Sequence, residues 1–208
     1  MQALLLYAIS NGNLAKVDAA LRGGVTMLQL RNKLLPDNEL LQLAQQVKRL
    51  TDKHGVPLVI NDRVDVVMEV DAAGVHLGPS DGDLRAARTV LGSSKILGAT
   101  ARTVEQALAA QAAGADYLGS GAVFGSATKL DATRMPLELF REICKTVTIP
   151  VVAIGGIDVT NIHQLRGCGM AGFAVVGGVF NADDVHQATL HLKEAALQCI
   201  SPHPKMFC

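Results

Sequence analysis

Eight times along this chain a short run rich in Val, Ile and Leu is followed by a polar turn and then by a stretch of helical period. No other feature constrains the fold as tightly, because strands that alternate with helices must lie parallel in a sheet covered by their crossover helices. The runs span residues 4–9, 27–30, 58–60, 75–77, 95–99, 117–120, 151–154 and 172–176. Across residues 37–54 the apolar positions Leu40, Leu43, Ala44, Val47 and Leu50 fall on one helical face. Residues 103–113 show Val104, Ala107 and Leu108 on a face, with Thr103 and Gln106 matching a capping box. Val185, Ala188, Leu192, Ala195 and Cys199 repeat the pattern near the end.

Gly23-Gly24, Gly74, Gly114 and Gly169 each come just before a strand. There they read as helix stops, where glycine takes the left-handed cap conformation that other residues resist. The 208 residues divided among eight units give about 26 residues each, the lean end for a closed (β/α)8 TIM barrel. That single α/β barrel, over residues 1–200, is the expected fold, and a doubly wound open sheet is the competing architecture. Residues 201–208, with Pro202 and Pro204, are expected to form a loosely ordered tail.

Composition removes several function classes. Nineteen Lys and Arg balance nineteen Asp and Glu, so no cationic excess is available for nucleic acid. Two Tyr, five Phe and no Trp leave few platforms for stacking bases. No apolar run reaches the ~18 residues that span a bilayer, and the patch at residues 4–9 lacks the basic flank of a signal peptide. Cys144, Cys168, Cys199 and Cys208 form no CxxC pair and no His/Cys ligand spacing, which fits a reducing, cytoplasmic setting.

In such a barrel, function gathers at the C-terminal ends of the strands. After the second strand, alternation would point Gln29, Arg31 and Lys33 the same way, and two cations with an amide suit an anionic ligand. Asn61-Asp62-Arg63 follows the third strand, and Asp81 follows the fourth. Two carboxylates on neighbouring strand ends, together with phosphate oxygens, suit Mg²⁺. Asp62 could instead cap the helix that begins near Arg63. Asp65 and Asp83 read as first-turn helix residues, and His76, within a strand, reads as a packed, hydrogen-bonded histidine. Thr100 ends the fifth strand.

The longest loop, Gly119 to Lys129, carries Ser126, Thr128 and Lys129 among small residues and can wrap a phosphate. Gly155-Gly156 and Val176-Gly177-Gly178 after strands seven and eight allow close backbone approach to a phosphate monoester. The GxGxxG fingerprint is absent from the first βα turn, which disfavours a dinucleotide fold, and no GxSxG or Walker A motif appears. The tally is one metal-bearing, cationic site suited to a diphosphate and one glycine-lined site suited to a monophosphate, both facing one mouth. It points to a transferase that releases pyrophosphate.

These residues, in this order, resemble the thiamine phosphate synthase (thiamine-phosphate pyrophosphorylase) family over nearly the whole chain. The resemblance rests on Gln29-Leu30-Arg31-Asn32-Lys33, on Asn61-Asp62-Arg63-Val64-Asp65-Val66, and on Gly74-Val75-His76-Leu77-Gly78 with Asp81. It extends to Ser126-Ala127-Thr128-Lys129 and Ile154-Gly155-Gly156-Ile157. It implies a (β/α)8 barrel that couples hydroxymethylpyrimidine diphosphate to a thiazole ethyl phosphate, giving thiamine phosphate and pyrophosphate, with CO2 also lost where the thiazole is carboxylated. Gln29, Arg31, Lys33, Asn61 and Lys129 would then bind the pyrimidine diphosphate, with Arg31, Lys33 and Lys129 drawing off pyrophosphate. Asp62 and Asp81 would hold Mg²⁺. Ser126 and Thr128, with the backbone near Gly156, Val176 and Gly177, would take the thiazole phosphate.

Three positions depart from the family pattern: Thr100 replaces a serine, Gly125 replaces a loop proline, and Gly177 replaces a serine beside the last phosphate contact. A thiazole tautomase of the same superfamily and a non-catalytic barrel that binds thiamine phosphate are the rival readings. Small-molecule substrates are the expected partners, with neither nucleic acid nor membrane, and the sequence is compatible with a homo-oligomer.

Overall fold

The structure is a computed structural model, and it describes residues 2–125 and 134–200. Eight parallel strands pair in chain order and close on themselves: β1 (Leu6–Ser10), β2 (Met27–Leu30), β3 (Leu58–Asn61), β4 (Gly74–Leu77), β5 (Ile96–Thr100), β6 (Tyr117–Gly121), β7 (Val151–Ile154) and β8 (Gly172–Val175). Tyr7 opposite Ala174 and Ala8 opposite Val175 join β8 to β1, so no edge is left open. The open doubly wound sheet is excluded.

Strand alternation sorts the buried residues into two clusters. Outward-facing Leu6, Leu28, Ile60, Leu97, Leu118 and Phe173 join the core beneath the helices. Inward-facing Tyr7, Met27, Val59, Tyr117, Val152 and Ala174 fill the barrel itself. Val176, expected to end the eighth strand, instead precedes a short helix, and residues 2–4, partly assigned to the first strand, form a 3₁₀ turn.

The helical ring is α1 (Leu14–Arg22), α2 (Asp37–His54), α3 (Val64–Glu69), α4 (Leu84–Leu91), α5 (Val104–Ala112), α6 (Leu137–Thr146), α7 (Gly177–Phe180) and α8 (Val185–Cys199). Between β7 and β8 stands only a 3₁₀ turn, Ile162–Leu165, and α3 has six residues. These economies fit eight units into so short a chain. α2 has the bounds that its period predicts, and Leu40, Ala44 and Val47 are buried.

Three local expectations need correction. In α8 the buried stripe is Val185, Thr189, Leu192, Ala196 and Cys199, not Ala188 and Ala195; Thr189 hides its hydroxyl by donating to the Val185 carbonyl at 2.7 Å. In α5 Ala110 is buried and Leu108 lies 43% exposed. Gly74 is no helix stop: it lies inside β4, where an added Cβ would stand 2.0 Å from the Ile96 carbonyl oxygen. The positive φ after α3 falls on Asp71 instead.

Thr103 caps α5 by accepting from the Gln106 amide at 3.2 Å, and the Gln106 side chain accepts from Arg102 N at 2.8 Å. Thr103→Ala should therefore cost about 1 kcal/mol. At this chain length that is a fall in Tm of about 2–4 °C, measurable by thermal unfolding.

Candidate active site

The expected site residues within the described chain all lie at the C-terminal ends of the strands or in the turns that follow. Gln29 (β2) and Asn61 (β3) point inward and are buried, and Thr100 ends β5 half-buried. Strand geometry does not carry Lys33 to the mouth, because β2 stops at Leu30. Arg31 N adds one bond, to Ser10 O at 2.8 Å, and then Asn32 turns the chain. The Asn32 side chain donates to Asn11 O at 3.0 Å and accepts from Leu34 N at 3.2 Å. Lys33 therefore reaches the mouth from a turn.

The Lys33 ammonium sits between the two acids, 3.2 Å from Asp62 Oδ2 and 3.5 Å from Asp81 Oδ1. Asp81 is held by its own turn, its Oδ2 accepting from Gly78 N at 2.8 Å. Asp62 is held by its backbone: φ is +56°, its N–H donates to His76 O at 3.0 Å, and Arg63 N closes the turn on Asn61 O at 2.8 Å. Asp62 does not cap α3. Arg63 occupies the cap position there, and its guanidinium pairs with Asp65 and Asp37. These bonds hold the Asp65 carboxyl below its ordinary range. Asp83, by contrast, is the cap of α4, accepting from Ala86 N at 2.8 Å.

Two carboxylates close enough to share one ammonium are a hard-oxygen pair that could equally share one small divalent ion. Among the described residues no cluster of three or more His, Cys, Asp or Glu could hold a metal alone. The donor set thus fits Mg²⁺ completed by water and by phosphate oxygens, and does not form an all-protein cage. The half-buried guanidinium of Arg31 makes no ion pair among the described residues.

Across the same mouth, Val123 N donates to Ile154 O at 3.0 Å and Phe124 N to Gly155 O at 3.1 Å, which fasten the chain leaving β6 to the end of β7. Gly155 and Gly156 make that contact possible. A Cβ on Gly155 would lie 2.4 Å from the Ala122 Cβ, and one on Gly156, whose φ is +64°, would lie 3.0 Å from the carbonyl oxygens of Phe124 and Gly125. Part of the room these glycines make is therefore taken by the chain itself. Val176 and Gly177 stand at the start of α7. Ser126, Thr128 and Lys129 lie outside the described residues, as do residues 201–208.

No sequence motif singles out Tyr7 or Tyr117. They are the only tyrosines in the chain, and both are buried inside the barrel with their rings edge to face, 5.8 Å apart. Their signal was available: inward-pointing hydroxyls in a barrel need partners. His76 is the part-buried, hydrogen-bonded histidine expected, bonded to Tyr117 and Thr100.

A family model described as thiamine monophosphate synthase matches residues 6–179. The chain belongs to the thiamine monophosphate synthase family. Thiamine-phosphate synthase 2 of Streptococcus pneumoniae is 50% identical over 195 residues, covering 90% of this chain and 93% of that protein. The thiamine-phosphate synthase of Methanobrevibacter smithii is 43% identical over 91% of this chain and 93% of its own. A thiamine phosphate pyrophosphorylase from Pyrococcus furiosus superposes with a TM-score of 0.90 at 37% identity, covering 96% of this chain and 98% of that one. 3-Hexulose-6-phosphate synthase, at 15% identity and a TM-score of 0.69, shares the fold alone. Thiamine-phosphate synthase activity in thiamine biosynthesis is the function that this kinship assigns. No helix among the described residues is long and apolar enough to cross a membrane.

Proposed function

We propose that this mouth joins a pyrimidine diphosphate to a thiazole ethyl phosphate, forming thiamine phosphate and releasing pyrophosphate. The observation that carries the reading is the Lys33 ammonium bracketed by Asp62 and Asp81, with Arg31 on the same rim. An ammonium and two acids that share one point form a seat for a metal-bound diphosphate, whose oxygens then replace the acids around Lys33. Mg²⁺ held by Asp62 and Asp81 would neutralise the charge that builds on the departing pyrophosphate. Lys33 and Arg31 add fixed positive charge to the same oxygens. Gln29 and Asn61, buried beside them, supply directional hydrogen bonds to the ring.

The thiazole phosphate belongs at the ends of β7 and β8, beside Gly156, Val176 and Gly177, with Ser126 and Thr128, while Lys129 joins Arg31 and Lys33 on the pyrimidine diphosphate. Holding the thiazole there puts its nitrogen opposite the carbon that pyrophosphate leaves. Positioning and electrostatics do the work, and no protein nucleophile takes part.

Incubating the protein with both phosphorylated heterocycles and Mg²⁺ should give thiamine phosphate by mass and an equal amount of pyrophosphate. Tautomerisation of a thiazole phosphate in place of coupling, or product binding without turnover, would overturn the proposal.

Lys33 also makes a metal prediction. Its ammonium and a divalent ion compete for the same two carboxylates, so Lys33→Met should tighten Mn²⁺ binding to the substrate-free protein. Lys33 is about half exposed, so solvent screens the pair and the gain is modest, about fivefold in Kd by calorimetry. Turnover in the same variant should fall, since the diphosphate loses a charged partner.

A further inference from the structure

Five side chains from five strands form one unbroken hydrogen-bond chain through the barrel. The Gln29 amide nitrogen donates to the Tyr7 hydroxyl at 2.5 Å, and the Tyr7 and Tyr117 hydroxyls lie 2.8 Å apart. Tyr117 continues to His76 Nδ1 at 3.0 Å, and His76 Nε2 to Thr100 Oγ1 at 3.0 Å. Tyr117, on β6, reaches His76, on β4, by lying across Gly98 of β5, where a Cβ would fall 2.3 Å from the phenol ring.

With the Gln29 nitrogen as donor at one end, one direction satisfies every group along this chain. Tyr7 accepts from an amide N–H, so its own proton goes to Tyr117. Tyr117 then has its proton left for His76 Nδ1, which accepts it when the ring carries its proton on Nε2. The remaining ring proton lies on Nε2 and is donated to Thr100, whose hydroxyl hydrogen stays available for another acceptor. Burial pushes both phenols well above their ordinary range, so both remain donors. Gln29, with one amide hydrogen committed to Tyr7, offers its carbonyl oxygen from the other branch of the amide.

We infer that Tyr7, Tyr117 and His76 are positioning residues for the pyrimidine diphosphate. Through this chain they fix the Gln29 carbonyl as an acceptor and the Thr100 hydroxyl as a donor, both facing the substrate. The inference rests on the proposed function for the roles of the two end groups. The three middle members need touch no substrate: they choose which hydrogen-bonding face the end groups present. An aminopyrimidine, which carries an amino donor beside a ring-nitrogen acceptor, is a ligand that distinguishes those faces.

The test combines nitrogen NMR of histidine-labelled protein with steady-state kinetics. The His76 resonances are identified by their loss in His76→Gln. In the unsubstituted protein the His76 proton should be on Nε2. In Tyr7→Phe and Tyr117→Phe the ring should become a mixture of tautomers. KM for the pyrimidine diphosphate should rise about tenfold, with kcat changed less than about threefold and KM for the thiazole phosphate unmoved, the pattern of lost ground-state binding. His76→Gln, whose amide can still donate to Thr100, should keep a lower KM than His76→Leu.

A proton on Nδ1 in the unsubstituted protein would overturn the inference, as would an unmoved pyrimidine KM in both tyrosine variants. A uniform loss of kcat with lower Tm and unchanged tautomer would show packing alone and overturn it as well. If Tyr117→Phe does not fold, Tyr7→Phe and the unsubstituted spectrum decide. If the unsubstituted protein makes no thiamine phosphate, the functional reading fails, and the tautomer still judges the chain on its own.

Discussion

Asp62→Asn should lower pyrophosphate release by about 100- to 1000-fold, a loss of about 3–4 kcal/mol of transition-state stabilisation. The substitution keeps the size of the side chain and its tolerance of the left-handed conformation, so the loss reports the charge. Asp81→Asn should act similarly, since the same Lys33 ammonium touches both carboxylates. The pair should be non-additive, because one metal needs both. Asp62→Gly separates fold from function. A non-glycine residue at φ +56° is held against a backbone preference, which glycine relieves. That variant should unfold at least as high in denaturant, by about 0.5–1 kcal/mol, while losing as much activity as Asp62→Asn. Pyrophosphate release by a coupled assay and denaturant midpoints measure the two effects. Near-normal turnover in Asp62→Asn would remove the metal role from this carboxylate, whatever happens to stability.

The same carboxylate shows why the sequence was informative about the site and silent about how it is built. That Asp62 stands at a strand end could be read from the short apolar run at residues 58–60, which stops just before Asn61. Whether it capped a helix or faced the mouth could not, because both roles use an Asp just before a helical stretch. The decision is tertiary: His76 O takes the Asp62 N–H, and Arg63 takes the cap position. Lys33 is similar. Its place at the mouth was legible, but extended alternation was the wrong reason, since the Asn32 turn delivers it.

Long periodic elements were the most legible. The eighteen residues of α2 carry enough turns for the apolar stripe to define both ends. α8 was legible as a helix, but its face was displaced by one residue at two points, because alanines marked the expected stripe and the buried Thr189 satisfies itself within the helix. Tyr7 and Tyr117 went unnoticed as a pair because they are 110 residues apart in the chain and meet only once the barrel closes. Pairing of that kind leaves no local pattern, whereas strand, turn and cap each do.

Closure also dictates the second large effect, at Gly98. The barrel interior admits the Tyr117 ring only because the neighbouring strand has no side chain there: a Cβ at Gly98 would stand 2.3–2.5 Å from Cζ, Oη and Cε1 of that ring. Neither partner can retreat easily. Gly98 is in register with both His76 and Tyr117, and the ring is buried at 1% exposure. Gly98→Ala should therefore cost about 3 kcal/mol through overpacking. For a chain of this length that corresponds to a fall in Tm of about 6–12 °C. The ring must shift to relieve the contact, which breaks the Tyr117–His76 bond and raises the pyrimidine KM along with the loss of stability. The contact is with the far end of the phenol, so a background lacking those atoms should absorb the methyl group. In Tyr117→Leu, adding Gly98→Ala should cost under about 1 kcal/mol, a coupling of about 2 kcal/mol in a double-mutant cycle. Equal costs in both backgrounds would mean that the barrel excludes a side chain at Gly98 for some reason other than Tyr117, and the steric origin of the hydrogen-bond path would fail with it.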